Sequence, residues 1–232
     1  MRRVALVVGG AGVIGAAIAS RLASDGFQVS TADLVDADHK IDVSSEQQVC
    51  DLFASFDELH CLVNAFGITS LGPFESVNVA EWDRVQTVNL RGVFLTCRAA
   101  LEPMRSAGGG RIVNIGSIVA KNGGNPRPWI DRSESNKAAN AAYAAAKAGV
   151  HALTLCLAKE VASEGITVNA VAPGPIAGPM TTEFPEALVR QIPIGRLGTP
   201  NEVAAAVAWL CSADAAFVTG EIIDVNGGLW VD

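Results

Sequence analysis

The chain has 232 residues, half of them hydrophobic and 18% charged, with a formal net charge of -7. This length suits one domain or two small ones, and the apolar content suits strands that are covered on both faces. No run of Lys or Arg forms a nucleic-acid patch, and no uninterrupted apolar stretch approaches the roughly 18 residues of a membrane span. The five cysteines show no metal-binding spacing, which is typical of buried thiols in a reducing, cytoplasmic compartment.

The predicted elements alternate between strands and helices. The N-terminus begins like a signal peptide, but the apolar run VALVV is short and leads directly into glycines, so it is interpreted as the first strand. Strands are predicted at 4–9, 27–33, 40–42, 59–65, 111–117, 166–173 and 221–228. Helices are predicted at 13–26, 44–56 with Ser44 as N-cap, 79–108 in one or two pieces, around Tyr143 to about 163, and at 201–212. This alternation implies βαβ units and a parallel sheet, and segments 118–137 and 174–200 are predicted as loops.

A glycine-rich turn follows the first strand. In VVGGAGVIG, Gly10, Gly12 and Gly15 fit the pattern GxGxxG, in which glycines permit a tight turn and close approach of a pyrophosphate to a helix N-terminus. The same spacing also occurs in turns that are only structural. Asp33 ends the second strand, where a carboxylate either accepts hydrogen bonds from an adenosine ribose or caps a turn.

The only tyrosine of the chain, Tyr143, lies in the alanine-rich segment AAYAAAKAG, four residues before Lys147. Residues i and i+4 share one face of a helix, so the lysine can reach toward the phenol. A cation at this distance is expected to lower the pKa of the phenol from about 10 by two to three units and to make it a general acid/base. The alternative is a half-buried tyrosine beside a lysine that extends to solvent.

The motifs taken together resemble the short-chain dehydrogenase/reductase family over essentially the whole chain. The matching stretches, in order, are the glycine turn, IDVSS, LVNAFG, VNLRGVF, GRIVNIGS, YAAAKAG, ITVNAVAPGPI, IGRLGTPNEVAAAVAWL and VTGEIIDVNGG. The resemblance implies one α/β domain over residues 1–232, with a Rossmann-like, doubly wound sheet of about seven mainly parallel strands and helices on both faces.

The family's residue roles transfer to matching positions. The resemblance implies that Tyr143 exchanges the proton, Lys147 lowers its pKa and holds the nicotinamide ribose, Ser117 polarises the substrate oxygen, and Asn89 holds a water that links Lys147 to solvent. It also implies cofactor contacts from Gly9, Gly12, Ile14, Gly15, Asp33, Leu34, Asp42, Val43, Asn64, Ala65, Gly67, Tyr143, Lys147, Pro173, Gly174 and Ile176. From the residues alone, Asn89 could instead be a helix-bend residue and Ser117 a strand-end hydroxyl. No metal is predicted.

The sequence departs from the family pattern at four positions. Val8 replaces a threonine, Val13 a glycine and Phe66 a small residue, and Gly178 stands where a cofactor-binding threonine is common. The glycine turn is therefore expected to bend differently, and one nicotinamide contact is expected to be missing.

The predicted function is the NAD-dependent interconversion of a secondary alcohol and a ketone. NAD is expected over NADP because Asp33 would repel a 2′-phosphate, and neither Leu34 nor Ala11 to Ile14 offers a positive charge. One alternative is a 3-oxoacyl thioester reductase or 3-hydroxyacyl dehydrogenase, since NIGSIVA and the C-terminal third look like ketoacyl reductases, which usually use NADPH. A non-catalytic, cofactor-sensing protein on the same fold is another, although such proteins often lose the tyrosine or the lysine.

Two further expectations concern the loop before Tyr143 and the assembly. Ser117 and Tyr143 are 26 residues apart, about twice the usual family spacing, so part of the loop 118–140 is expected to cover the substrate through Trp129 and Arg127 or Arg132.

The family resemblance implies a homotetramer, or a dimer, with contacts through helices at about 89–107 and around Tyr143 and through the C-terminus at Trp230.

Overall fold

The computed structural model describes residues 3–124 and 131–231. Within them, one sheet contains seven strands: β1 (Val4–Val8), β2 (Gln28–Asp33), β3 (His39–Lys40), β4 (Cys61–Asn64), β5 (Gly110–Ile115), β6 (Ile166–Pro173) and β7 (Ile222–Val225). Their order is β3-β2-β1-β4-β5-β6-β7, and all neighbouring strands are parallel. The predicted α/β class with a parallel sheet is therefore confirmed.

Helices cover both faces of this sheet. In the described ranges they are α1 (Val13–Ser24), α2 (Glu46–Phe53), α3 (Val79–Gln86), α4 (Gly92–Ser106), α5 (Val119–Asn122), α6 (Ala141–Val161), α7 (Glu186–Val189) and α8 (Pro200–Leu210). Short 3-10 turns and helices α5 and α7 lie in the two segments that were predicted as loops. The region 79–108 is three pieces rather than one or two, because a π-helical turn, Thr87–Arg91, joins α3 to α4.

The core has two layers, one on each face of the sheet. Successive strand side chains point to opposite faces, so Leu6 and Val8 of β1 face the layer with α2, α4 and α6, while Ala5 and Val7 face the layer with α1 and α8. All four side chains are fully buried. This burial on both faces explains the continuous apolar strand sequences.

The start of α2 corrects one predicted residue. Ser44 is not the N-cap, because its backbone N–H is bound by the side chain of Asp42 at 2.8 Å. Ser45 caps the helix instead, and its side chain accepts a hydrogen bond from the backbone N–H of Gln48 at 3.4 Å. Two adjacent serines offer the same chemistry, and the Asp42 contact decides between them.

One helical segment, Ala141–Glu164, is long and apolar enough to cross a membrane by length and composition alone. Its sequence contains no long uninterrupted apolar run, because Lys147 and His151 interrupt it. Both of these side chains are buried, and α6 packs on the face of the sheet that contains Ile112 and Val168. Core helices of this kind meet the same length criterion.

The strand order brings the predicted site to one edge. The chain winds outward from β1 in one direction and from β4 in the other, which creates a crevice at the carboxyl ends of these two strands. In open α/β sheets, ligands bind at this switch point. The glycine turn follows β1, Asp33 ends β2, Asn64 ends β4 and Ser117 follows β5, so all four reach the same edge.

Candidate active site

The turn after β1 approaches β2 and β4 so closely that it requires glycine. Gly9 has φ 87°, and its N–H donates to the Ala32 carbonyl at 2.7 Å. A Cβ on Gly9 would lie 2.5 Å from the backbone nitrogen of Phe66, and a Cβ on Gly15 would lie 2.0 Å from the carbonyl oxygen of Gly9. Gly12 caps α1 without a side-chain hydrogen bond. Amides of the first helical turn therefore remain available for a phosphate, as a dinucleotide cofactor requires.

Asp33 takes the turn-capping role that its sequence position allowed. One carboxylate oxygen accepts from the backbone N–H of Ala11 at 3.1 Å, and the other accepts from that of Leu34 at 2.8 Å. The side chain thus ties the glycine turn to the end of β2. It also lines a large cavity at this edge of the sheet, so its charge faces any ligand that occupies the crevice.

This cavity measures about 580 Å³, which lies within the usual range for small-molecule sites. Six of the predicted cofactor residues line it: Gly9, Asp33, Leu34, Asp42, Val43 and Gly67. Sequence reasoning missed the opposite wall, which α3 and the π-helical turn provide through Ala80, Asp83, Arg84, Thr87 and Val88. The sequence of segment 79–108 predicted a helix but did not indicate which of its side chains would face the crevice.

Several predicted cofactor residues do not line the cavity. Asn64 is buried, and its amide donates to Asn114 Oδ1 at 2.9 Å, so it joins β4 to β5. Ala65 extends the pairing of the strand ends through its N–H to the Val8 carbonyl at 2.8 Å. Gly12, Ile14 and Gly15 belong to the turn and α1, and Pro173, Gly174 and Ile176 belong to the end of β6 and the loop after it.

The loop after β6 reaches the glycine turn at Gly178. A Cβ on Gly178 would lie 3.8 Å from Val13 Cγ1, so the two segments are in contact distance. The Thr181 hydroxyl, three residues later, accepts from the Gly178 N–H at 2.9 Å and lies 2.9 Å from the Ile176 carbonyl oxygen. The threonine that organises this loop thus stands after Gly178 rather than in its place.

Phe66 forms part of the cavity wall without closing the cavity. Its ring lies against Gly92, where a Cβ would be 3.0 Å from a ring carbon and 3.2 Å from Val43 Cγ2. Gly92 therefore leaves the space that the larger side chain occupies. The aromatic ring is accommodated toward α4, and the residue still lines the crevice.

Lys147 and Asn89 converge beside Gly67. The Lys147 ammonium is buried and donates to the Ile115 carbonyl at 2.7 Å. The Asn89 side chain accepts from the Ile68 N–H and donates to the Ile68 carbonyl, both at 2.8 Å. A Cβ on Gly67 would lie 3.2 Å from Asn89 Oδ1 and 3.4 Å from Lys147 Nζ. Asn89 also lies within the π-helical turn, a distortion that occurs frequently at functional sites.

The prediction that Lys147 lowers the pKa of Tyr143 is wrong. Burial raises the pKa of Tyr143 above its ordinary value, and a hydrogen bond with the Ser117 side chain acts in the opposite direction. Lys147 is not among the causes, because its ammonium is directed to the Ile115 carbonyl. Burial also lowers the pKa of Lys147 to about 8. The Ser117 and Tyr143 side chains lie within hydrogen-bond reach of each other. The predicted substrate residues Arg127 and Trp129 lie outside the described residues.

His151 is a residue of the site that sequence reasoning missed. It lies one helical turn after Lys147 on the buried face of α6, and its Nε2 accepts from the Ser117 backbone N–H at 3.4 Å. A Cβ on Gly116 would lie 2.1 Å from this nitrogen, so glycine leaves room for the ring. Burial, with the charges of Lys121 and Lys147, lowers the pKa of His151 to about 4. Its i+4 spacing from Lys147 was the available signal.

Comparison with known proteins gives full-length matches. The family model described as "Enoyl-(Acyl carrier protein) reductase" matches residues 9–230. An acetoacetyl-CoA reductase of Rhizobium meliloti is 40% identical, with 98% of each chain covered. The 3-oxoacyl-[acyl-carrier-protein] reductase FabG of Escherichia coli is 37% identical, with 99% of this chain and 98% of the relative covered.

The chain belongs to the short-chain dehydrogenase/reductase family. As a member it is an oxidoreductase that acts on a hydroxyl or keto group with NAD(P). The residues present fit such a cofactor, because the glycine turn leaves helix amides free beside a cavity whose walls include Asp33 and Gly67. The hydroxyls of Ser117 and Tyr143 lie together, as polarisation of a substrate oxygen requires.

Proposed function

We propose that this short-chain dehydrogenase/reductase interconverts a 3-oxoacyl thioester and the corresponding 3-hydroxyacyl thioester, with NAD as the preferred cofactor and Tyr143 as the general acid/base. The observation that carries the reaction is the cluster of Tyr143, Ser117, Lys147 and Asn89 at the carboxyl edge of the sheet. The names of the full-length relatives support the thioester substrate, which was the alternative in the sequence analysis.

In this proposal each residue of the site has its own role in the reduction of the 3-oxoacyl group. NADH, when bound, supplies the hydride for C3 of the oxoacyl group. The Ser117 hydroxyl polarises the C3 oxygen and Tyr143 donates the proton to it, because both hydroxyls lie together. Lys147 is buried and fixed to the Ile115 carbonyl, beside the position of the nicotinamide ribose in this proposal. Asn89 holds Ile68 and so shapes the adjoining wall. In the oxidation direction, Tyr143 accepts the proton instead.

The preference for NAD rests on the charges around the cavity. Among the described residues that line it, Asp33, Asp42 and Asp83 are acidic, whereas Arg84 is the one cation. Arg84 is held by Glu81 through hydrogen bonds of 2.8 and 3.0 Å. A 2′-phosphate would therefore enter an acidic environment, and a desolvated like charge can cost several kcal/mol.

The ratio of kcat/KM for NADH over NADPH tests this preference. We expect the ratio to exceed tenfold and to fall in Asp33→Ala. Asp33→Asn separates charge from shape, since its amide oxygen can still accept one of the two backbone hydrogen bonds. Equal kcat/KM values for both cofactors in the parent enzyme would rule out the NAD preference without affecting the assigned reaction.

A substrate panel tests the thioester assignment. Acetoacetyl-CoA, its carrier-protein thioester, crotonyl-CoA and simple ketones are supplied with NADH and NADPH, and nicotinamide absorbance is followed. We expect kcat/KM to be highest for a 3-oxoacyl thioester. Activity on crotonyl-CoA alone would favour the enoyl reduction that the family description names, and no turnover of any compound would favour the non-catalytic alternative.

A second candidate function is the interconversion of a secondary alcohol and a ketone that are not thioesters. The 26-residue separation between Ser117 and Tyr143 favours it, because the insertion borders the site. Both ends of the insertion are anchored: the Lys121 ammonium binds Asp224 at 2.8 Å, and the Asn140 N–H donates to the Ser70 carbonyl at 3.0 Å. Arg127 and Trp129 between these anchors remain the proposed substrate residues. Trp129→Ala and Arg127→Ala should lower kcat/KM at least tenfold with unchanged NADH affinity. Parent-like values in both variants would show that this loop does not cover the substrate.

We further propose that the enzyme is cytoplasmic and consists of a single domain.

A further inference from the structure

A second pocket lies at the opposite edge of the sheet, where the strands begin. It measures about 290 Å³ and is lined by residues that precede or start β1, β2, β4, β5 and β6, together with the turn that follows α8. Its polar residues are Arg3, His60, Arg111 and Ser212, and no Asp or Glu is among the described residues that line it. This is unexpected in a chain whose formal net charge is -7.

The Arg111 guanidinium is only partly satisfied. Its Nη1 donates to the Gly110 carbonyl at 3.0 Å, but its Nε is buried without a hydrogen-bond partner. Within the described residues, Arg111 forms no ion pair. A buried donor without a partner is costly, and an unpaired guanidinium is costlier still. The pocket therefore presents a donor whose natural partner is an oxygen anion.

Arg3 and His60 add donors to the same space. The Arg3 guanidinium stacks over the Phe27 ring with 4.1 Å to its centroid, and it forms no ion pair with a described carboxylate. The Nδ1 atom of His60 accepts from the Val4 N–H at 3.2 Å, so a neutral ring carries its proton on Nε2. That atom is then the remaining donor of His60.

Both arginines interact electrostatically with Cys211, which lines the pocket. The neighbouring Cys61 thiol and burial raise the pKa of Cys211 well above its ordinary value, whereas Arg111 and Arg3 act to lower it. Two cations, one just before β1 and one in β5, thus act on the Cys211 wall. Their fork-shaped donors suit the bidentate binding of a phosphate or carboxylate group.

We propose that this pocket binds a small oxyanion with the size and charge of a phosphate group. Arg3 and Arg111 supply the charge, and His60 supplies a third donor. The pocket is separate from the cofactor cavity, because the two lie at opposite ends of the parallel strands. Its volume is at the lower limit for small-molecule sites and suits inorganic phosphate or a short phosphomonoester better than a nucleotide.

Titration of inorganic phosphate into the enzyme saturated with NADH tests the proposal. The NADH occupies the glycine turn, so phosphate cannot be bound there. We expect saturable binding of one phosphate per chain by calorimetry, and a concentration-dependent rise in Tm that potassium chloride at equal ionic strength does not produce. Glycerol phosphate, titrated in parallel, distinguishes a phosphorylated metabolite from free phosphate as the ligand, and tight binding of either one supports the site.

Variants assign the binding to this pocket. Arg111→Gln and Arg3→Gln should each weaken phosphate binding at least tenfold while turnover and NADH affinity stay at parent values. Arg190→Gln is the matched control, because Arg190 is exposed just after α7 and its loss changes the net charge equally. A Tm in phosphate-free buffer shows that each variant is folded. Absence of saturable binding, or equal weakening in Arg190→Gln, would overturn the proposal.

Discussion

The protonation state of Tyr143 determines how the rate in each direction depends on pH. Burial raises the pKa of the phenol, so Tyr143 stays protonated at neutral pH and is ready to donate to a ketone. Oxidation requires the deprotonated form, whose fraction rises tenfold per pH unit below the pKa. We therefore predict that kcat/KM for reduction is flat between about pH 6 and 8, whereas kcat/KM for oxidation rises steeply. Parallel pH profiles in both directions would contradict this assignment.

Removal of the phenol hydroxyl tests the role of Tyr143 directly. Tyr143→Phe keeps the aromatic ring but removes the hydroxyl that exchanges the proton, so we predict a loss of roughly 10²–10⁴-fold in kcat. NADH affinity, measured by fluorescence titration, should remain within about threefold, since the hydroxyl is one of many contacts. Ala145→Ser, on the exposed face of the same helix, is the control and should retain activity. Turnover within tenfold of the parent would remove Tyr143 from the mechanism.

His151 should make the fold sensitive to acid. Its pKa is lowered from 6.5 to about 4, so between these values the unfolded chain binds more protons than the native chain does. Stability from this residue is therefore present above pH 6.5 and is lost as the pH falls toward 4. We predict that the parent loses roughly 2 kcal/mol more unfolding free energy between pH 7.5 and 5 than His151→Gln does. Denaturant titrations at both pH values measure this difference, and equal losses would refute it.

At the scale of elements, the end of β5 and helix α6 fit each other through one glycine. A Cβ on Gly116 would lie 2.1 Å from His151 Nε2, so we predict that Gly116→Ala destabilises the protein by about 1–3 kcal/mol. In the His151→Ala background the same change should be nearly neutral, because the added methyl then fills vacated space. Gly178→Ala is the control, with its Cβ 3.8 Å from the nearest atom. Additive effects of the two changes would show that the contact is not tight.

The periodicity of the sequence predicted the elements well because burial on both faces leaves continuous apolar strands. The predicted bounds of β1, of β6 and of the helix around Tyr143 lie close to the observed bounds. Contacts between distant residues were not predictable in the same way. The choice of Ser45 over Ser44 depends on Asp42, and the π-helical turn at Asn89 has no periodic signature. The ammonium of Lys147 turns to Ile115 rather than to Tyr143, which i+4 spacing alone does not determine.

The site shows the same division between local and distant information. Glycines at 9 and 15 were predictable because a close backbone approach leaves a composition signal. The α3 wall of the cavity, and the neighbours of His151, arise from the packing of separate segments. Phe66 illustrates the limit, since its fit depends on Gly92, which lies 26 positions later in the chain.

At the scale of the whole molecule, the exposed apolar side chains include one group on α6 and α4 and another near the C-terminus. On α6, Ala145, Ala148, Ala152 and Leu155 form an exposed stripe at helical spacing, and Phe94 of α4 is 44% exposed. Near the C-terminus, Trp209, Phe217, Trp230 and Val231 are exposed, with Phe217 fully so. A monomer with two such patches would be prone to association, and two different contacts are what a tetramer with twofold symmetry needs.

We therefore predict a homotetramer in which each patch pairs with its own copy on another chain. Sedimentation velocity at micromolar concentration should give a mass of four 24.0 kDa chains. Ala148→Glu places a charge in the α6 stripe and Phe217→Glu places one in the C-terminal patch, so each should yield dimers through the contact that remains, and the double variant should yield monomers. Ala54→Glu, on the exposed end of α2, is the control and should leave the tetramer intact. A parent enzyme that sediments as a monomer would show that neither patch is an interface.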